Sequence, residues 1–202
     1  MKNYYILRNY YILKTMIGVK TMLETILIAF IVAKLKGYNI KLIFKSWGIY
    51  PIIIFELFYV FMQISVFLGN YDFIIYSGIY KKLYLYSFIF LIIKHKQYIS
   101  AIIGSVCIFI GTILNNIAIT ANNGTMPVFP TLSYYTGYAT KEAFDKIKDI
   151  HVLGNEATKL KFLTDIFDVG YSIISIGDIF IRLFAFLIIY SSIKYVNKIQ
   201  RT

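Results

Sequence analysis

The residues able to do chemistry in this chain lie in one polar stretch, Ala121 to Asp178, which interrupts an otherwise oily sequence. His151 suits a general base, and Asp165 or Asp178 suits the carboxylate that would orient it. The same three side chains would otherwise offer nitrogen and oxygen to a divalent ion that activates water. Two carboxylates and one histidine are thin for zinc, which favours more nitrogen or sulfur, so metal and cofactor both stay open. No serine or cysteine nucleophile stands out. Around these three, Asn123, Gly124, Met126, Lys159, Ser175 and Gly177 form a set suited to holding a polar ligand. Bland roles compete at each position. Ser175-Ile176-Gly177-Asp178 reads equally as a capped helix start, His151 as an interfacial histidine bonded to a loop carbonyl, and Asp165 as the cap of the turn after it.

The elements that must position these groups are membrane helices. Apolar residues make up 58% of the chain and charged residues 15%, against roughly 45–50% and about 25% in soluble domains. Apolar windows close to the roughly 20 residues that cross a bilayer recur along it. The net charge of +11 is spread singly or in pairs at the ends of these windows, not in one stripe. That pattern excludes a nucleic-acid partner and marks membrane flanks. Cys107 is the only cysteine, so neither an internal disulfide nor a cysteine metal cage can form.

The expected fold is all-α, a polytopic bundle of about five spans: 22–33, 50–68, 75–93, 99–120 and 173–190. Residues 1–21 carry the doubled unit Asn3-Tyr4-Tyr5-Ile6-Leu7 and Asn9-Tyr10-Tyr11-Ile12-Leu13, and read as an extension or interfacial arm, with Met22 a second candidate start. Residues 22–202 then form a single membrane domain. Glu56, Gln63 and Asn70 are spaced by seven and share a helix face that should point into the bundle. Gly104, Cys107 or Ile108, Gly111 and Asn115 make a small-residue stripe for close helix packing. Lys34 to Lys45, Lys94 to Lys96 and the C-terminal tail together hold nine positive charges, four, two and three. The positive-inside rule puts them in the cytoplasm and the polar loop 121–172 outside a bacterial plasma membrane.

Within that loop, Asn122-Asn123-Gly124 is turn chemistry, and Pro127 and Pro130 keep the next stretch extended. Amphipathic surface helices are expected from Thr140 to Ile150 and from Glu156 to Phe167. The runs Ala121-Asn122-Asn123-Gly124-Thr125-Met126-Pro127-Val128, His151, Ala157-Thr158-Lys159-Leu160-Lys161-Phe162-Leu163-Thr164-Asp165 and Ser175-Ile176-Gly177-Asp178 resemble the domain of unknown function numbered 5317. The likeness covers about Met22 to Tyr190 and implies a bacterial membrane protein, with no activity to carry over. Arg182 departs from the pattern, which is small or apolar there; four residues after Asp178, it is placed to pair with it along the helix.

Three function classes follow. The favoured one is a binding or accessory membrane protein, whose polar loop takes a lipid headgroup, a peptide or a membrane partner, including a second copy. Next is a membrane-embedded hydrolase or transferase that uses His151 with Asp165 or Asp178. A small transporter comes last, because the sequence has no inverted repeat and few intramembrane charges.

Overall fold

Apolar runs set the frame of the computed structural model, which describes residues 22–68, 73, 76–139 and 150–200. Leu23–Leu35 is α1; two 3-10 turns, Ile40–Lys45 and Trp47–Ile49, lead into α2, Tyr50–Phe67. Ser77–Ser87 is α3, Ile89–Lys94 is α4 and Tyr98–Ala121 is α5. A layer of short elements follows: β1 (Met126–Val128), α6 (Leu132–Tyr135), β2 (His151–Leu153), a 3-10 turn Lys161–Leu163, β3 (Phe167–Asp168) and β4 (Ile173–Ile174). The last helix, α7, is Ile176–Ile199. The chain is thus mostly helical. Trp47–Ser65, Tyr98–Ala121 and Ile176–Ile199 are long and apolar enough to cross a membrane, with mean hydropathy of 1.6, 2.1 and 1.9.

Three candidate spans among the described residues, against five expected, is a difference with physical causes. Helix α1 has 13 residues, which at about 1.5 Å each falls short of the roughly 30 Å hydrocarbon core. The residues before Met22 lie outside the described part. The 75–93 run divides at Phe88 into helices of 11 and 6 residues. There the Ser87 hydroxyl donates to the Tyr84 carbonyl at 2.6 Å, a local bond that competes with the helical ladder. Helix α7 starts later than expected, because Ile173–Ile174 is a strand and Ser175 the cap, and it runs on through the basic tail to Ile199.

Helices α5 and α7 make the most extensive contact in the fold. Gly104, Gly111 and Ala118 line the buried face of α5 at seven-residue intervals. A Cβ on Gly104 would stand 2.7 Å from the Phe184 ring, and one on Gly111 would collide with the Gly177 carbonyl. The expected small-residue stripe therefore sets the approach of the two backbones. Ile99, Ile102, Val106, Phe109 and Ile113 cover the opposite, exposed face of α5, where lipid contact suits them. Inside the bundle, Tyr59, Tyr84, Phe88 and Phe184 meet edge to face, with centroids 5.5, 5.6 and 5.4 Å apart in turn.

The two ends of the bundle differ. At one, Asn39 N donates to Asn197 Oδ1 at 2.8 Å while Asn197 Nδ2 donates to the Asn39 carbonyl at 3.1 Å. Ser46 Oγ bonds His95 Nε2 at 2.9 Å, and Lys94 stands over the Trp47 ring. Three basic segments, the loop after α1, the turn after α4 and the end of α7, thus share one end. The short-element layer covers the other. In it β1 and β2 pair in parallel, Met126 opposite His151, and Asp165 adds a single parallel bridge to Val128. Strands β3 and β4 pair antiparallel. The helix expected over 156–167 is replaced by one 3-10 turn and extended chain, since Leu160 adopts a left-handed φ of 48° that ends any helix there. The helix expected from Thr140 lies outside the described residues.

Candidate functional site

The site begins where α5 ends. Asn123 and Gly124 take left-handed backbone, φ 57° and 84°, which asparagine and glycine tolerate best, so the chain reverses out of the helix in two residues. Asn122 uses that turn to hold a distant loop. Its Oδ1 accepts from the Lys159 amide at 2.9 Å and its Nδ2 donates to the Lys159 carbonyl at 2.9 Å. Nδ2 also bonds the Ala118 carbonyl, which fixes the amide on the helix end. Between the two segments lies an open pocket of about 140 Å³, lined by Asn122, Asn123, Thr125, Asn155, Thr158 and Lys159 among others. Asn123 and Lys159 are exposed at its edge.

His151 and Asp165 meet behind this pocket. His151 Nε2 lies 3.6 Å from Asp165 Oδ2, and the side chains are 10% and 0% exposed. The distance suits an ion pair when the imidazole is protonated and exceeds a normal hydrogen bond. The backbone explains the meeting: Asp165 N donates to the Pro127 carbonyl at 3.1 Å and Phe129 N donates to the Asp165 carbonyl at 2.9 Å. Met126, expected as a ligand contact, is buried with Ala118 and Leu163 beneath the layer.

Ser175, Gly177 and Asp178 occupy a third setting. Asp178 N donates to Ser175 Oγ at 3.0 Å and Ser175 N to Asp178 Oδ2 at 3.2 Å, a reciprocal capping box. Asn115 of α5 closes it, accepting from Ser175 Oγ at 2.7 Å and donating to Asp178 Oδ1 at 3.1 Å. Gly177 gives the room, since a Cβ there would meet the Asn115 side chain and the Gly111 carbonyl. The motif therefore starts a helix and clasps it to α5. Arg182, one turn further on, reaches across to α1, Nη1 lying 3.1 Å from Glu24 Oε2.

Residues 39–190 match the family of unknown function DUF5317. This chain belongs to that family. Neither a curated protein nor a solved structure matches it. The DUF5317 match takes in α2 to the short-element layer and most of α7, and begins after α1, later than the resemblance from Met22 suggested. Glu24, the partner of Arg182, therefore precedes the matched part of this DUF5317 protein. The Tyr171 hydroxyl also donates to Glu24, at 2.7 Å; burial first, then that carboxylate, push it up to about 12.

Sequence reasoning gave Asp168 no role, yet it organises this face of the layer. Its carboxylate accepts from Thr131 N at 2.6 Å, Ser133 N at 2.8 Å, Ser133 Oγ at 2.6 Å and Gly170 N at 2.8 Å. Burial raises its pKa, but these donors outweigh that and hold it below the usual carboxylate range. The signal was present in the chain: α6 starts without an acidic residue in its first turn, so its amides need an acceptor from elsewhere. Among the described residues no group of three or more histidine, cysteine, aspartate or glutamate side chains is arranged to hold a metal ion.

Proposed function

We propose that this protein is a multi-pass membrane protein that binds an anionic lipid headgroup in the pocket between Asn123 and Lys159. The two-sided hold of Asn122 on Lys159 carries the reading, because it fixes the backbone of a lysine at the edge of an open polar pocket at the end of a candidate span. Amides and hydroxyls from Asn123, Asn155 and Thr158 would supply donors to phosphate oxygens around that charge. Exposed Leu132, Tyr135, Phe162 and Phe167 give the same layer an aromatic and apolar surface suited to the headgroup region. The basic segments gathered at the opposite end favour a cytoplasmic placement for that end, with the polar layer outside.

The reading is tested by native mass spectrometry of the full chain from bilayers mixing phosphatidylglycerol with phosphatidylcholine. Preferential retention of phosphatidylglycerol that Lys159→Gln removes supports it. Equal retention of both lipids, or a co-purifying membrane protein that leaves on the same substitution, replaces it with a partner-binding role. A second reading rests on the His151 and Asp165 pair, which has the partners of a general base and its orienting carboxylate. A hydrolytic activity abolished by His151→Ala would establish it.

A further inference from the structure

A half-open cavity of about 220 Å³ lies between the helices, away from the headgroup pocket. Met22, Tyr59, Lys81, Tyr84, Asp178 and Arg182 contribute to its wall. Among the described residues, that wall holds buried polar atoms short of well-formed hydrogen bonds. Arg182 is 8% exposed; its Nη1 serves Glu24, while its Nη2 is buried and makes no hydrogen bond. The Tyr84 hydroxyl, on a side chain 1% exposed, makes no bond of normal geometry and faces the Glu56 carboxylate. Behind it Glu56, 5% exposed, stands beside Tyr84 with both carboxylate oxygens buried and without a bond of normal geometry.

Buried polar atoms are nearly always satisfied, so Arg182 Nη2 and the Tyr84 hydroxyl, both on side chains at the cavity wall and short of well-formed bonds among the described residues, mark a place for a ligand. Their chemistry states what it must carry. Arg182 Nη2 needs an acceptor, and Lys81 adds positive charge at the same wall. The Tyr84 hydroxyl can accept from an N–H, and Asp178 adds negative charge. Tyr59 and Tyr84 add aromatic rings to the same wall. Both signs in one cavity disfavour a simple anion or a simple cation. The volume is below the roughly 300–1,000 Å³ of drug-sized sites, so the ligand is small.

We propose that this cavity binds a small zwitterion, its phosphate or carboxylate on Arg182 and its primary ammonium toward Asp178 and Tyr84. Two sources share that chemistry: the headgroup of phosphatidylethanolamine, entering from the bilayer, and a free amino acid or phosphoethanolamine, entering from water. The inference does not rest on the headgroup pocket, since none of its residues lines that pocket.

The test places the full chain in phosphatidylcholine nanodiscs, with phosphatidylethanolamine in the bilayer in one arm and with phosphoethanolamine or glycine in the buffer in the other. Native mass spectrometry reads the lipid arm and thermal unfolding reads the soluble arm. Retention of phosphatidylethanolamine identifies the lipid source; a raised Tm with phosphoethanolamine or glycine identifies the aqueous one. Phosphocholine, which has no ammonium N–H to donate, should do nothing. Tyr84→Phe removes only the hydroxyl and should weaken binding roughly three- to tenfold with the fold intact; Arg182→Gln should abolish it. If the wild-type chain ignores every zwitterion, or Tyr84→Phe binds them as the wild type does, the proposal is overturned.

Discussion

Asn122 holds Lys159 by both of its backbone groups, amide to Oδ1 and carbonyl to Nδ2, each at 2.9 Å. One side chain at the end of α5 thus imitates a strand neighbour for a loop thirty-seven residues away in sequence. Asn122→Ala removes both bonds and should cost about 1–3 kcal/mol, twice the usual net value of one hydrogen bond. Thermal unfolding gives the cost. Hydrogen exchange should show amide 159 opening first, while amides in the middle of α5 keep their protection.

Gly111→Ala should be the most damaging methyl addition on α5, because its Cβ would enter the Gly177 carbonyl, which is backbone and cannot move aside. Overpacking of this kind costs typically about 1–3 kcal/mol. Cys107→Ala, at a half-buried position on the same helix, should be nearly neutral. Comparing their unfolding temperatures in one detergent checks both; equal losses would mean that α5 and α7 do not meet as described.

Asp168 predicts a pH dependence with a definite sign. Its folded pKa lies below the ordinary 3.8, so the folded state favours the ionised form. The stabilisation is complete above that ordinary value and disappears as pH falls through the depressed folded one. Between pH 5 and pH 3, roughly the span of an ordinary carboxylate titration, the wild type should lose more stability than Asp168→Asn. The substitution itself should cost about 0.5–2 kcal/mol at neutral pH, the range for a lost helix cap.

The Arg182 and Glu24 pair predicts non-additive substitutions. Its side chains are 10% and 23% exposed. Removing one partner strands the other charge, a loss of about 3–5 kcal/mol at well-buried pairs and less at the more exposed Glu24 end. Glu24→Met with Arg182→Leu should therefore unfold at a higher temperature than Arg182→Leu alone. A double variant less stable than either single one would contradict the pairing.

The candidate spans were legible because their causes are local. Pro51 at a helix start, the Gly104 and Gly111 stripe and the Ser175 to Asp178 cap each act within a few residues, and all three reappear in the fold. The joint grouping of the basic segments was legible too. What was missed depends on distant partners. Nothing near Lys159 in sequence announces Asn122, and Arg182 reads naturally as a partner of Asp178 four residues before it until α1 brings Glu24 alongside. The 156–167 segment kept a helical pattern of leucines and phenylalanine, yet pairing of Asp165 with Val128 and the left-handed Leu160 overrode it. Of the site residues, His151 and Asp165 come together as a pair and Asn123 and Lys159 line one pocket; Ser175, Gly177 and Asp178 serve the junction of α5 and α7.

The most direct test of the headgroup reading is lipid retention by the wild type and Lys159→Gln, taken from one bilayer of phosphatidylglycerol and phosphatidylcholine and compared by native mass spectrometry. The account predicts that the wild type keeps phosphatidylglycerol in preference to phosphatidylcholine and that Lys159→Gln, with an unchanged unfolding temperature, keeps both alike. A wild type without preference, or a Lys159→Gln protein that holds phosphatidylglycerol as firmly as the wild type, contradicts it.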